Sequence, residues 1–221
     1  MKKKLPIIIF FCICAVYSAA TFALDEKEKQ PVADFLSKLR MSYAQINDYS
    51  ATMRLESFEN EYQLQRQKMW FKKPGYLLLR QLGPFKKGAA LAILPNGQIK
   101  GHLGGFLSFA VVSLDKDDEN MYGVTHDSAL STDYDKILDI ATDMLDRVID
   151  YSIETVSIDN KKRLVLTTSY DQKFDRFRLI VDPASMLIIG LERYTKGKLI
   201  HKIQWFDIKT NINIDTDKFN L

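Results

Sequence analysis

The feature that most constrains this chain is the run Trp70-Phe71-Lys72-Lys73-Pro74, followed by Tyr76-Leu77-Leu78-Leu79-Arg80. It reads as one apolar strand that stops at two lysines and a proline, then a second apolar strand. Proline has no amide hydrogen for a sheet ladder, and it drives the residue before it toward an extended conformation. The two strands must therefore bend or pair across a short corner that carries two ammonium groups. Aromatic strands beside a fixed pair of cations suit the binding of an amphiphile better than they suit a reaction.

The pattern around this corner is mostly of strand type. Tyr49, Ala51, Met53 and Leu55 alternate with Ser50, Thr52, Arg54 and Glu56, the period of a half-buried strand. Strands are predicted over 62–71 and 76–82. A hairpin follows from 89–94 and 98–103 around Pro95-Asn96-Gly97, since Asn-Gly accepts the positive φ angles of a two-residue turn. Five more strands are predicted over 151–158, 163–169, 174–181, 187–194 and 199–208, with turns at Asp159-Asn160, Tyr170-Asp171, Asp182-Pro183 and Lys196-Gly197. Short connections between successive strands favour antiparallel meanders.

Two helices interrupt the strands. The first is expected to start at Pro31, with Val32, Phe35, Leu36, Leu39, Tyr43 and Ile46 on its apolar face. The second is expected over about 133–150, with a capping box from Thr132 and Asp135 and a stripe through Ile137, Leu138, Ala141, Met144, Leu145, Val148 and Ile149. About ten strands and two helices make an α+β protein. A sheet of that size must curl, with the helices covering one face, and the result is a container for a greasy ligand.

The N-terminus reads as an address. Lys2, Lys3 and Lys4 precede an apolar run from Leu5 to Val16 and small residues at Ser18, Ala19, Ala20 and Ala23, the three parts of a secretory signal peptide. Cleavage is expected after Ala23, with Ala20 as the rival site. Residues 1–23 hold three of the 31 basic residues and no acidic one, which leaves 28 of each sign. A neutral mature chain gives no electrostatic case for nucleic acid. Cys12 and Cys14 also lie in the leader, so the remaining 24–221 domain has no disulfide or cysteine nucleophile and relies on its core.

Catalytic and metal motifs are weak. His102, His126 and His201 show no ligand spacing, and no cofactor is expected. Asp115-Lys116-Asp117-Asp118-Glu119 begins like a calcium loop but has Asn120 at the glycine position and His126 at the glutamate position. No Gly-x-Ser-x-Gly elbow is present, so an enzyme, of which an unrecognised hydrolase is the remaining form, is not the expectation. The apolar stretch 106–114 reads either as a buried strand or lid, or as a flap that meets lipid, a membrane surface or a partner. Lys72 and Lys73 are either solubilising charges at a strand end or rim cations facing the polar group of an amphiphile.

Ile46-Asn47-Asp48-Tyr49-Ser50-Ala51-Thr52-Met53, then Trp70-Phe71-Lys72-Lys73-Pro74-Gly75-Tyr76, then Val181-Asp182-Pro183, Gly197-Lys198-Leu199 and Asp217-Lys218-Phe219 stand in an order that resembles the LolA/LolB superfamily, which includes RseB. The resemblance implies a single domain, an unclosed antiparallel half-barrel with helices over its opening. It implies periplasmic binding of lipid or an acylated lipoprotein, with peripheral membrane contact, or an RseB-like regulatory module whose partner is an envelope protein. Lys73 takes the place of the family's basic residue before proline, where LolA proteins tend to have arginine with its two-point fork. The expected ligand-binding residues are Met53, Leu55, Trp70, Phe71, Lys73, Tyr76 and Leu78. Strand parity leaves open whether Trp70, Tyr76 and Leu78 or Phe71, Leu77 and Leu79 face inward.

Overall fold

The structure, a computed structural model, describes residues 25–170 and 175–221. The expected signal peptide and the expected start of a strand at Phe174 lie outside the described residues.

Helix α1 spans Glu26–Ala44 and α2 spans Tyr134–Asp143. Among the described residues eleven strands accompany them: β1 (Asp48–Ser57), β2 (Gln63–Lys72), β3 (Tyr76–Pro84), β4 (Ala90–Ile93), β5 (Ile99–His102), β6 (Val112–Ser113), β7 (Val148–Ile158), β8 (Lys161–Tyr170), β9 (Arg176–Asp182), β10 (Leu187–Thr195) and β11 (Lys198–Thr210). They form one sheet in the order β6-β5-β4-β3-β2-β1-β11-β10-β9-β8-β7, antiparallel throughout. One meander runs outward from β1 and the other returns to β11, and the first and last strands meet in the middle. The outer strands β6 and β7 do not pair, so the barrel is unclosed, the expected half-barrel.

Curling follows from the core. At ~4.8 Å between strands, eleven flat strands would be far wider than two helices of ~10 Å each could cover. Yet Ile99 on β5, Val148 on β7 and inward residues of the strands between them share one buried cluster with Leu36, Leu39 and Tyr43 of α1 and Ile137 and Leu138 of α2. Register shifts between Ser50 and Thr52, Arg66 and Gln67, Ile188 and Gly190, and Arg193 and Tyr194 mark bulges, which bend strands and increase twist.

Helix boundaries differ from expectation at three places. The charged lead-in is itself helical. Asp25 accepts the Glu28 amide at 2.8 Å while Glu28 accepts the Asp25 amide at 3.1 Å, a capping box that starts α1 at Glu26 and leaves Pro31 inside it. The cap of α2 is Asp133, which accepts the Lys136 amide at 3.1 Å, rather than Thr132. That helix stops at Asp143, a 3-10 turn follows at Leu145–Arg147, and the β-branched pair Val148-Ile149 opens β7. Pairing with β8 over ten positions outweighs the helical spacing of those two residues.

The corner at Lys73-Pro74 is a hairpin turn, with Lys72 opposite Tyr76. The Asn96-Gly97 hairpin is formed, but as a three-residue turn, Pro95-Asn96-Gly97, closed by the Leu94 amide donating to the Gln98 carbonyl at 2.9 Å, with Gly97 and not Asn96 at positive φ (83°).

Candidate functional site

Between the concave face of the sheet and its cover lies a narrow cavity of about 60 Å³. Met53, Leu55, Leu79, Leu91, Leu191, Ile203 and Trp205 form its floor, and Met121, Ala129, Ile137 and Ile140 its roof. Register builds the floor. Leu55 lies opposite Ile203, Ile203 opposite Leu191, Leu191 opposite Leu179, and Leu179 opposite Leu166. Directly opposed residues share a face, so five strands contribute one continuous apolar row.

The expected wall is divided by the same alternation. Met53 and Leu55 line the cavity. Phe71, Leu77 and Leu79 share their face, but Phe71 packs deeper, stacked on Tyr49 at 5.2 Å. Trp70, Tyr76 and Leu78 project from the opposite, convex face. There Leu78 is buried with Ile214 and Phe219, Tyr76 meets Phe219 at 5.2 Å, and Lys218 sits over the Trp70 ring at 4.5 Å. The grouping of Met53 and Leu55 with Trp70, Tyr76 and Leu78 is thus corrected: the Lys73-Pro74 hairpin preserves register, and period two puts the second set outside.

The two lysines also have tasks other than those expected. Lys73 donates to the Tyr43 and Ala44 carbonyls at 3.2 and 3.1 Å and lies over the Tyr43 ring at 4.9 Å. Both carbonyls lie at the C-terminal end of α1, where a cation is favoured; that of Tyr43 also accepts the Ile46 amide at 3.0 Å. Lys72 donates to the Ile214 carbonyl at 2.5 Å and so holds the C-terminal segment. Neither lysine lines the cavity. Lys73→Met is therefore expected to cost about 1–2 kcal/mol by loss of charged hydrogen bonds at the helix end. Urea unfolding measures it, and an unchanged midpoint would return Lys73 to a purely solubilising role.

Polar residues that the sequence reading missed stand in the cavity wall. Gln65, Gln67 and Gln81 are neighbours on β2 and β3, all lining the cavity. The signal was present: with Phe71 and Met69 inward, counting back by twos puts Gln67 and Gln65 inward as well. Gln65 Oε1 accepts the Val124 amide at 3.0 Å, and Gln65 Nε2 donates to Gln67 Oε1 at 2.9 Å and Gln81 Oε1 at 3.2 Å. Gln81 Nε2 donates to Gln67 Oε1 at 2.9 Å. Gly123 packs so closely on Gln65 that a Cβ there would lie 2.7 Å from Oε1.

A salt bridge ties the roof down beside this ladder. Arg193 donates to both Asp127 carboxylate oxygens, at 2.7 and 2.9 Å, and Thr125 donates to Asp127 at 2.8 Å. Behind it, His201 Nε2 lies 3.6 Å and His126 Nε2 3.8 Å from one oxygen of Glu59. His201 is 2% exposed. Burial lowers its pKa below the ordinary 6.5; Arg193 and His126 add to the lowering, while Glu59 and Asp127 oppose it. The unfolded chain therefore binds this proton more readily, and stability falls as pH drops through about 6.5 toward the folded pKa. Urea midpoints should decline between pH 7.5 and 5.5, with a smaller decline in His201→Gln. Equal declines in both proteins would remove His201 as the cause.

The acidic run 115–119 is a pedestal for the roof: Asp118 accepts the Asn120 amide at 2.8 Å and starts a turn that ends in buried Met121. Among the described residues, no cluster of three His, Cys, Asp or Glu side chains is arranged to hold a metal ion.

The stretch 106–114 is largely uncovered. Phe106 is 88% and Phe109 74% exposed, and their rings meet each other edge to face at 5.8 Å. Gly104 anchors the stretch, so close to the β3–β4 turn that a Cβ would lie 1.9 Å from the Lys87 carbonyl oxygen. Leu103, Val112 and Leu114 line a second cleft, which shares Leu79, Gln81, Leu91 and Asn120 with the main cavity.

This geometry has solved counterparts. An uncharacterized conserved protein from Thermus thermophilus is similar over 87% of this chain and 94% of its own, with 12% identity and a TM-score of 0.56. The likeness is one of fold. A LolA superfamily protein from Nitrosomonas europaea matches over 86% of this chain and 97% of its own, with 12% identity and a TM-score of 0.40. Pseudomonas aeruginosa MucB, solved with MucA, matches over 86% of this chain and 61% of the solved chain, with 13% identity and a TM-score of 0.46. No family model and no curated protein matches the sequence.

Proposed function

We propose that the protein is a non-enzymatic binding protein of the cell envelope that holds the acyl chain of a lipid or an acylated protein in the cavity under α2. The observation that carries this reading is the apolar floor continued by an apolar roof. Burying an acyl chain contributes ~0.8 kcal/mol per methylene, on the order of 10 kcal/mol for a long chain before the costs of association. No catalytic group is needed for that. The lining's carboxylate, Asp127, is already held by Arg193, and the lining includes no histidine. Its floor residues are mostly buried, so a long chain enters by displacing the roof.

The signal-peptide pattern supports a periplasmic location. The exposed Phe106 and Phe109, in the stretch between Leu103 and Val112 of the second cleft, support a contact with a lipid surface there; that cleft shares Leu79 and Leu91 with the main cavity. No described helix is long and apolar enough to cross a membrane, so the contact proposed is superficial.

Mass spectrometry of organic extracts from the protein purified out of the periplasm tests the reading. Near-stoichiometric lipid, or a co-purifying acylated protein, is expected; a folded protein that extracts empty and takes up no acyl compound would overturn it. In vesicle flotation, Phe106→Ser/Phe109→Ser should reduce the bound fraction severalfold without shifting the unfolding midpoint. Undiminished flotation would sink the role of the two phenylalanines.

A further inference from the structure

The cavity floor contains a band that hydrocarbon does not explain. On four neighbouring strands, Trp205 lies opposite Met53, Met53 opposite Gln67, and Gln67 opposite Gln81. All four line the cavity. The Val124 amide fixes the direction of the glutamines: it must donate to Gln65 Oε1, so Gln65 Nε2 faces Gln67 and Gln81, and Gln67 turns its oxygen toward both of them. The Gln67 amide nitrogen is then left facing the Met53 thioether at 3.4 Å, a weak acceptor. Across Met53, Trp205 Nε1 has no hydrogen-bond partner among the described residues. Gln67 is 2% and Trp205 4% exposed. The band thus holds two buried N–H donors without an oxygen acceptor, one on Gln67 against the Met53 sulfur and one on Trp205 of the strand paired with Met53's.

Buried donors of this kind are costly unless they are met. A ligand that fills the cavity with methylenes alone leaves them as they are. One that carries a carbonyl oxygen to this band offers them the acceptor they lack. The charge of that ligand group is constrained too, because the lining's guanidinium, Arg193, is occupied by Asp127. A carboxylate would find no free cation beside the band, whereas a neutral ester or amide needs none.

We infer that the band Trp205–Met53–Gln67–Gln81 binds the neutral carbonyl through which an acyl chain joins its headgroup. This rests on the acyl-binding reading and adds the chemical class of the group recognised. Lipid esters and the ester or amide of an acylated protein share that chemistry.

Displacement of a bound neutral fluorescent monoacylglycerol analogue tests it with three competitors of equal chain length: 1-palmitoylglycerol, an N-palmitoyl peptide amide, and 1-O-hexadecylglycerol, whose ether lacks the carbonyl. The ester, the amide or both should displace the probe about five- to tenfold more tightly than the ether, the worth of one or two buried hydrogen bonds. Gln67→Met and Trp205→Phe should each bring that ratio to within about twofold. Preference for the glycerol ester assigns the band to a lipid, and preference for the amide assigns it to an acylated protein; either supports the inference. Equal displacement by ester, amide and ether in the wild type overturns the band while leaving acyl binding in place. No displacement by any of the three overturns acyl binding as well. An unaltered ratio in both variants overturns the assignment of these residues. Should Gln67→Met fail to fold, Trp205→Phe and the wild-type ratio decide.

Discussion

Tyr134→Ala is expected to lower unfolding free energy by about 3–5 kcal/mol, in the range of large aromatic deletions from a core. Tyr134 opens α2 and is fully enclosed. Its ring stacks on Tyr49 at 5.0 Å, meets Tyr43 edge-on at 5.5 Å and contacts Trp205 at 6.1 Å. Its hydroxyl donates to the Ile188 carbonyl at 2.9 Å, on β10. One side chain therefore joins α2, α1 and both halves of the sheet. The hydrogen bond is the smaller part: Tyr134→Phe keeps the ring and should cost only about 1 kcal/mol. Urea unfolding of the two variants side by side measures the split. Equal losses would mean that the hydroxyl, not the ring, holds the roof. Burial pushes the Tyr134 phenol well above its ordinary pKa, so its hydroxyl keeps its proton and its donor role at any pH near neutrality.

With an acyl chain held as proposed, Ala129→Trp is expected to abolish its binding. Ala129 sits in the short 3-10 turn Ala129–Ser131 of the roof, buried, with its methyl on the cavity. An indole there occupies the cavity without deleting any floor residue. Overpacking costs about 1–3 kcal/mol of stability, which a domain of this size tolerates. Affinity should fall by more than about tenfold, equivalent to ~1.4 kcal/mol, read as lipid per protein in the extract. Full lipid content in a folded Ala129→Trp protein would place the ligand elsewhere, with the second cleft the next location to test.

Much of this architecture was legible because most strands alternate cleanly and their connections are short. The half-barrel, the hairpin at Asn96-Gly97 and the apolar face of α1 all follow from period and turn chemistry. What escaped depended on register. Whether Trp70 or Phe71 faces inward is decided by how β2 pairs with β1, Ser50 opposite Trp70 and Tyr49 opposite Phe71, and local pattern does not report a partner. Gln65 and Gln67 were obscured because an inward polar pair contradicts the simple rule that strands bury what is apolar. Lys73 could not be assigned because its acceptors, at the end of α1, lie some thirty positions earlier. The pairing of Arg193 with Asp127, 66 residues apart, is invisible to any local reading for the same reason.

The pairing of β1 with β11 at the middle of the sheet has a consequence for biogenesis. Tyr49 is matched with Thr210, and the segment after β11 is held by Asp48, which accepts the Ile212 and Ile214 amides at 2.7 and 3.1 Å. A chain emerging N-terminus first presents β1 with one edge unsatisfied until nearly its last residues have appeared. Exposed edges of that kind recruit other strands, and closing so long a loop is slow. Synthesis and folding are thus joined at the C-terminus. A nascent chain halted short of β11 holds two half-sheets that cannot yet share a core, so its vulnerability to proteases and self-association ends only when the final strand is delivered.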